Sequence, residues 1–453
     1  MLSKEASDVD RSIPGLAMNP KFTKVSNISR RIHGWSWQAF PIGMGTGAVY
    51  VCLAGIHPHP GLPLTMVETV FYFLNIALFL LNSTTLLLQL ILYPRQAKRL
   101  ITDPSKGIFV PLIVLSFATI IIGTINYVLP TGHVSPTFIY CLFWIYVGFG
   151  LLVCFPMLMI WFNKPHDLKT FTPAWAFLVF PMMLVGVVAF NVLRVLPPED
   201  PRALGVLLTG YVFQGLGFFM TFFYICIYII RIMTTGFLEG HQANGAFVAC
   251  GPPGFTALAL INLAEQGQDI LAAHNLVSKS AGEIWYASSV LAGLLLFGLA
   301  VFFFLFGALP YWFKLHKHLD EILGCWALTF PNVGWILTIG KLGDIFHLQG
   351  FYVWNLVMVI LMCATWLILF FLTAIAFWKG KIFMATPEEI IRDVHASEKK
   401  KPKDLEMALV ASTSQVAVAL VRHSDASERP SGHFDSIPSH YATSGHFALA
   451  PTP

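Results

Sequence analysis

The chain has 453 residues, 56% hydrophobic, 14% aromatic and only 11% charged, with a formal net charge of +4. Average soluble domains carry about 25% charged residues, so this composition excludes an ordinary soluble protein and describes an all-α, polytopic membrane protein. The seven cysteines, at 52, 141, 154, 226, 250, 325 and 363, lie within apolar runs and make no CxxC pair. Neither a disulfide framework nor a zinc site is indicated, and no metal or cofactor is expected.

Residues 1–35 are polar and mixed in charge, with Glu5, Asp8 and Asp10. They lack the apolar core of a signal peptide and the acid-poor character of a mitochondrial presequence, and read as a cytosolic tail. Ten apolar runs follow, at 36–56, 66–93, 108–129, 137–162, 170–193, 204–233, 245–265, 283–309, 321–340 and 350–378. Each is near or above the roughly 20 residues a helix needs to cross a bilayer, which makes 36–379 a ten-helix transmembrane domain. Loops after even-numbered runs carry nine basic residues: Arg95, Lys98, Arg99, Lys106, Lys164, Lys169, Arg231, Lys314 and Lys317. Loops after odd-numbered runs carry four: Arg194, Arg202, Lys279 and Lys341. The N-terminal tail adds Lys4, Arg11, Lys21, Lys24, Arg30 and Arg31 to the basic side. Basic loops face the cytosol, so both termini are expected there.

The odd-numbered runs share a proline motif: Phe40-Pro41, Phe109-Val110-Pro111, Phe180-Pro181, Pro252-Pro253-Gly254-Phe255 and Phe330-Pro331. From Pro41 to Pro111, Pro181, Pro252 and Pro331 the intervals are 70, 70, 71 and 79 residues. Of the even-numbered runs only the fourth has an interior proline, Pro156. A near-constant period signals one unit repeated, here a hairpin of one kinked and one smooth helix. Proline inside a helix kinks or breaks it. Broken backbone survives in a bilayer only when buried in protein or facing a watery cavity. The sequence therefore predicts five helical hairpins around a central pore, kinked helices inside. After residue 379 come Lys399-Lys400-Lys401-Pro402-Lys403 and a Ser/Pro/His-rich end, so 380–453 reads as a disordered cytosolic tail.

No nucleophile–base or metal constellation stands out, so no enzyme is expected. Glu68, Arg194, Arg231, Glu265 and Glu283 sit at the ends of runs, and no ionisable residue lies near the middle of one. A conventional proton relay of intramembrane carboxylates is therefore not expected. What remains inside is small and polar, and Ser36, Thr46, Gln214, Thr256, Thr329 and Asn332 are the candidate substrate contacts. A helix restarting after a break presents N–H groups and a partial positive charge to an anion. Arg194 and Lys341, with His57, His59 and His133 nearby, would concentrate anions at the outer mouth. Phe330 is the candidate gate; Phe40, Phe180 and Phe255 are analogous plugs or packing residues. Nucleic acid is not an expected partner.

The run Trp326-Ala-Leu-Thr-Phe330-Pro331-Asn332-Val-Gly334 resembles the ninth helix of the tellurite-resistance/dicarboxylate transporter family, which includes plant slow-type anion channels and fungal carriers. The stretch Gly251-Pro-Pro-Gly-Phe255-Thr-Ala-Leu-Ala-Leu-Ile261-Asn262 is similar to the seventh helix of the fungal malic acid permeases. So are Phe213-Gln214-Gly-Leu-Gly217, Trp35-Ser36-Trp37, and Pro173-Ala-Trp175 leading to Phe180-Pro181. The resemblance implies five hairpins around a pore, often as trimers, and a pore-occluding phenylalanine at Phe330. It also implies C4-dicarboxylates as substrate, malate above all, in the plasma membrane. Arg194 departs from the permease pattern, and sulfite exporters share the family, so substrate does not follow from fold. The alternatives are a passive anion channel and a sulfite exporter of the same family. Each charge crossing the field involves about 2.3 kcal/mol per 100 mV. A monoanion moving with one proton avoids that cost, so uptake is expected to follow the monoanion, with the substrate itself carrying the proton.

Overall fold

The computed structural model describes residues 25–238, 240–314 and 321–398. Among them there are fourteen α-helices and no strand. In chain order these are α1 (Asn27–Gly34), α2 (Phe40–Ala54), α3 (Leu62–Leu92), α4 (Pro94–Thr102), α5 (Leu112–Gly123), α6 (Pro136–Phe162) and α7 (Phe180–Leu193). Then follow α8 (Pro201–Thr235), α9 (Gly251–Ala273), α10 (Ala281–Lys314), α11 (Ile322–Cys325), α12 (Phe330–Phe346), α13 (Gln349–Trp378) and α14 (Pro387–Glu398). Contacts divide the chain after Asp393, and all the packing below lies within the first unit.

Eight helical stretches are long and apolar enough to cross a bilayer. The expected spans at 36–56 and 170–193 hold shorter α-helices, of 15 and 14 residues. At 1.5 Å per residue these reach about 22 Å, short of the roughly 30 Å hydrocarbon core.

The reason lies in the prolines. They do not bend helix interiors as expected; they open helices. A 3-10 segment precedes each one: Trp37–Ala39, Gly107–Phe109, Pro173–Leu178, Gly240–Cys250 and Trp326–Leu328. The α-helix then starts at or beside Pro41, Pro111, Pro181, Pro252 or Pro331. Proline costs nothing in the first turn, because its missing N–H would have no helical partner there.

Two kinds of helix result. All fourteen residues of α7 are buried, and so is 89% of the most apolar window of Gln242–Ala273. The corresponding windows of α3, α10 and α13 are buried only 17%, 28% and 28%. Their outward faces expose Leu90, Ile91, Leu291, Leu295, Ile360 and Phe371, as lipid-facing surfaces do. Each short helix packs on the long one that follows: α2 on α3, α5 on α6, α7 on α8, α9 on α10 and α12 on α13. The short helices also contact one another in sequence, α2–α5–α7–α9–α12, and α12 returns to α2. The α9–α12 crossing is closest where Gly254 meets Gly334. A Cβ on Gly334 would lie 2.4 Å from the Phe255 nitrogen, and one on Gly254 2.7 Å from that of Trp335. Only glycine allows that approach.

The two expected tails are folded where they are described. Residues 27–34 form α1, and residues 380–393 lie along it. The Ala385 N–H donates to the Arg30 carbonyl at 3.1 Å, and Arg30 Nε returns a 3.0 Å bond to the Ala385 carbonyl. Trp35 stacks on Phe383 with ring centroids 4.3 Å apart. Asp393 takes a 2.9 Å bond from His33 Nε2 and pairs with Arg99. Reading 380–398 as structureless therefore fails. The stretch is polar on average, but Ile382, Phe383 and Ile390 are buried, and three anchors suffice against a surface already in place. Residues 399–453, with the lysine run, lie outside the described residues.

Candidate functional site

A cavity of about 410 Å³ is lined by residues of all five short helices, or of the turns just beyond them. Phe255 and Phe330, near the starts of α9 and α12, both line the cavity with ring centroids 5.1 Å apart. Glu265 and Lys341, also in the lining, lie ten and eleven residues further along the same helices, about 15 Å away. Phe180 stands edge-on to Phe255 at 5.9 Å and is fully buried outside the lining. Phe40 is buried between Trp37 and Phe79. Of the candidate gate and its three analogues, Phe330 and Phe255 line the cavity, while Phe180 and Phe40 pack outside it.

Charge gathers at the far end. Lys341 Nζ donates to both oxygens of Glu265, at 2.7 and 2.8 Å. Asp344 accepts from Tyr352 at 3.0 Å and faces His57 Nε2 at 3.7 Å. Arg194 caps the end of α7 and bonds the Asn191 side-chain oxygen at 3.3 Å. Among the described residues Arg194 forms no ion pair, so it is the lining cation whose charge is not held by a carboxylate. The cavity wall between these ends carries Thr119, Asn126, Asn191, Asn262 and Gln266. Arg202, at the start of α8, is engaged elsewhere: it binds Asp200 at 2.6 Å and Thr137 at 3.2 Å. Its hydrogen bonds hold the Asp200 carboxyl below the usual carboxylate range.

None of the six predicted substrate contacts lines the cavity. Thr46 donates to the Ile42 carbonyl at 2.9 Å and accepts from Trp366 of α13. Thr329 donates to the Trp326 carbonyl at 2.7 Å and sits against Gly45. Asn332 bonds the Leu328 carbonyl and accepts from Trp335 at 2.9 Å. Gln214 and Thr256 bond each other across α8 and α9 at 2.8 Å. Ser36 precedes the Trp37–Ala39 turn, outside the cavity lining. Short polar side chains on apolar helices satisfy themselves on the preceding turn or a neighbouring helix, as Thr46, Thr256, Thr329 and Asn332 do here. The broken backbone also keeps fewer free donors than expected. The Asn332 N–H bonds the Thr329 carbonyl at 3.0 Å, and the Met182 N–H bonds that of Val179 at 3.1 Å.

Sequence reasoning missed the polar stripe of α3. Glu68, Asn75, Asn82 and Gln89 recur every seven residues, and all four are buried. Asn75 reaches Tyr50 at 3.2 Å and Thr119 at 2.9 Å. Asn82 donates to the Ala39 carbonyl beside the first break, and Gln89 to three carbonyls between Ile32 and Trp35. Glu68 accepts from Tyr127 at 3.3 Å and lies 2.9 Å from His59. The seven-residue recurrence was the available signal.

A helical membrane protein with a partly charged cavity between proline-opened helices belongs to the class that moves solutes across a bilayer. The voltage-dependent anion channel family, SLAC1, matches residues 34–374, three quarters of the chain, and the chain belongs to that family. It is 27% identical over 354 residues to a malic acid transport protein of Schizosaccharomyces pombe, covering 77% of this chain and 80% of that one. A putative malic acid transport protein of the same organism is 24% identical, covering 80% and 84%. The sulfite efflux pump SSU1 of Arthroderma otae is 25% identical over 75% of this chain and 89% of its own.

Proposed function

We propose that the chain carries malate and related C4-dicarboxylates across the plasma membrane, and that the cavity is the outer half of the path. Ten spans arranged as five hairpins surround it in this reading, with both termini cytosolic. One observation carries it: the five proline-opened helices share one cavity, lined by the paired Phe330 and Phe255 rings and by Arg194, a guanidinium with no ion pair among the described residues; in this reading the two rings are the gate. A volume of about 410 Å³ admits a four-carbon diacid with several waters. Carboxyl groups titrate near pH 4, so acidic medium supplies the monoanion, which enters against a smaller electrical cost than the dianion.

The test is labelled malate uptake in a transporter-deficient host at external pH 4 and pH 7, with protein at the surface quantified. Uptake that follows the monoanion is expected. Absence of malate uptake, or saturable uptake at pH 7 as large as at pH 4, overturns the reading. The sulfite efflux relatives favour a second reading, export of sulfite, which the same host reports as outward sulfite flux. A channel would instead pass chloride or nitrate current.

A further inference from the structure

We infer that Glu265 carries the co-transported proton and Lys341 receives the substrate carboxylate, the two exchanging with each other as substrate arrives and leaves. This rests on the cavity being the anion path, and it replaces the expectation that no protein carboxylate serves as a relay.

The geometry is that of a latch. Both Glu265 oxygens lie on Lys341 Nζ, at 2.7 and 2.8 Å, so the one lysine in the cavity wall is occupied by an internal carboxylate. The pair is open to the cavity: the Glu265 side chain is 37% exposed and that of Lys341 22%. It is not what holds α9 to α12, since the Gly254–Gly334 contact fixes that crossing. A substrate carboxylate entering past Arg194 is chemically equivalent to the Glu265 side chain, and it competes with Glu265 for the same ammonium. The displaced Glu265 is then a carboxylate without its ammonium partner, in the cavity lining where a proton can reach it.

Several groups set this balance. Lys341 and Asp344 face Glu265 from α12, Arg194 from the end of α7, and His57 from beyond α2. Tyr286 interacts with it from α10. Asp269 lies one turn on along α9.

The step balances simply. A substrate carboxylate takes the place of Glu265 on Lys341 Nζ, and a proton from the outer water adds to the freed Glu265 carboxylate. As substrate leaves toward Phe330, the proton passes from the Glu265 carboxyl to the departing carboxylate, and Glu265 returns to Lys341. Donor and acceptor are both carboxyl groups, so the proton moves between chemically equivalent sites. A monoanion carrying this proton crosses without net charge.

Malate uptake and the accompanying alkalinisation of the medium test the proposal in Glu265→Gln, Glu265→Asp and Arg194→Gln at matched surface amounts. Glu265→Gln should lose the alkalinisation and the steep fall of uptake above pH 4, carrying current instead. Glu265→Asp, which still titrates, should keep both. A Glu265→Gln variant with the parent's pH profile and proton movement overturns the proposal, even if Arg194→Gln lowers uptake and so sustains the path. If neither Arg194→Gln nor Glu265→Gln alters malate flux, the path itself is wrong. Should Glu265→Gln fail to reach the surface, Lys341→Gln at a matched surface amount decides: a raised half-saturating malate concentration supports the proposal, and a parent-like half-saturation overturns it.

Discussion

The short helices and the long helices of this protein divide the work of living in a bilayer. Helices α2, α5, α7, α9 and α12 begin on 3-10 turns and prolines, are almost wholly buried, and line the cavity. Helices α3, α6, α8, α10 and α13 are unbroken over 27 to 35 residues and expose apolar faces. The long helices do more than shield. Asn82 of α3 bonds the Ala39 carbonyl just before one break, and Asn355 of α13 bonds the Ile336 carbonyl inside α12 at 2.7 Å. Interrupted backbone is thus tolerated because a continuous neighbour supplies the missing donors.

The comparison is broken most severely at the helix crossing. Gly334→Val should prevent α12 from seating on α9, because even a Cβ there would meet the Phe255 backbone at 2.4 Å. Overpacking of this kind costs roughly 1–3 kcal/mol or more, and backbone cannot give way as a side chain does. Thermal unfolding in detergent should show a clearly lowered midpoint or no folded protein. A parent-like midpoint would mean that the crossing is looser than described.

Phe330→Ala comes next. Removing this buried ring should cost about 3–5 kcal/mol of stability while opening the proposed gate of the cavity, so flux per surface molecule rises. Arg194→Gln should act at the other end, raising the half-saturating malate concentration by roughly three- to tenfold, the scale of one charge-assisted contact near solvent. Asn75→Leu sharpens the contrast between helix classes. It removes bonds to Tyr50 and Thr119, with an expected loss of about 1 kcal/mol in the same unfolding assay. Arg202→Ala should leave malate flux unchanged, since Arg202 is held by Asp200 and Thr137.

The proline repeat was legible because a missing N–H and a fixed φ act locally, whatever the surroundings. It marked the five helices that share the cavity, though not that the prolines open helices. The substrate contacts were not legible, because a hydroxyl or amide in an apolar helix has two ways to be satisfied and sequence does not choose between them. Thr46 and Asn332 took the carbonyl four residues back. Asn262 did the same through Leu258 at 2.8 Å yet still lines the cavity. The Glu265–Lys341 pair joins residues 76 apart, and only the α9–α12 crossing brings them together. The folded part of the C-terminal stretch escaped notice because three apolar residues are lost in a polar average.

In the proposed path, substrate passes between Arg194 and the paired rings of Phe330 and Phe255. Anion flux per surface molecule in the parent, in Phe330→Ala, and in Phe330→Ala combined with Arg194→Gln tests this. Flux should rise in the first variant and partly return in the second, with half-saturation shifted upward. Flux equal in all three, with protein present at the surface in equal amount, would contradict it.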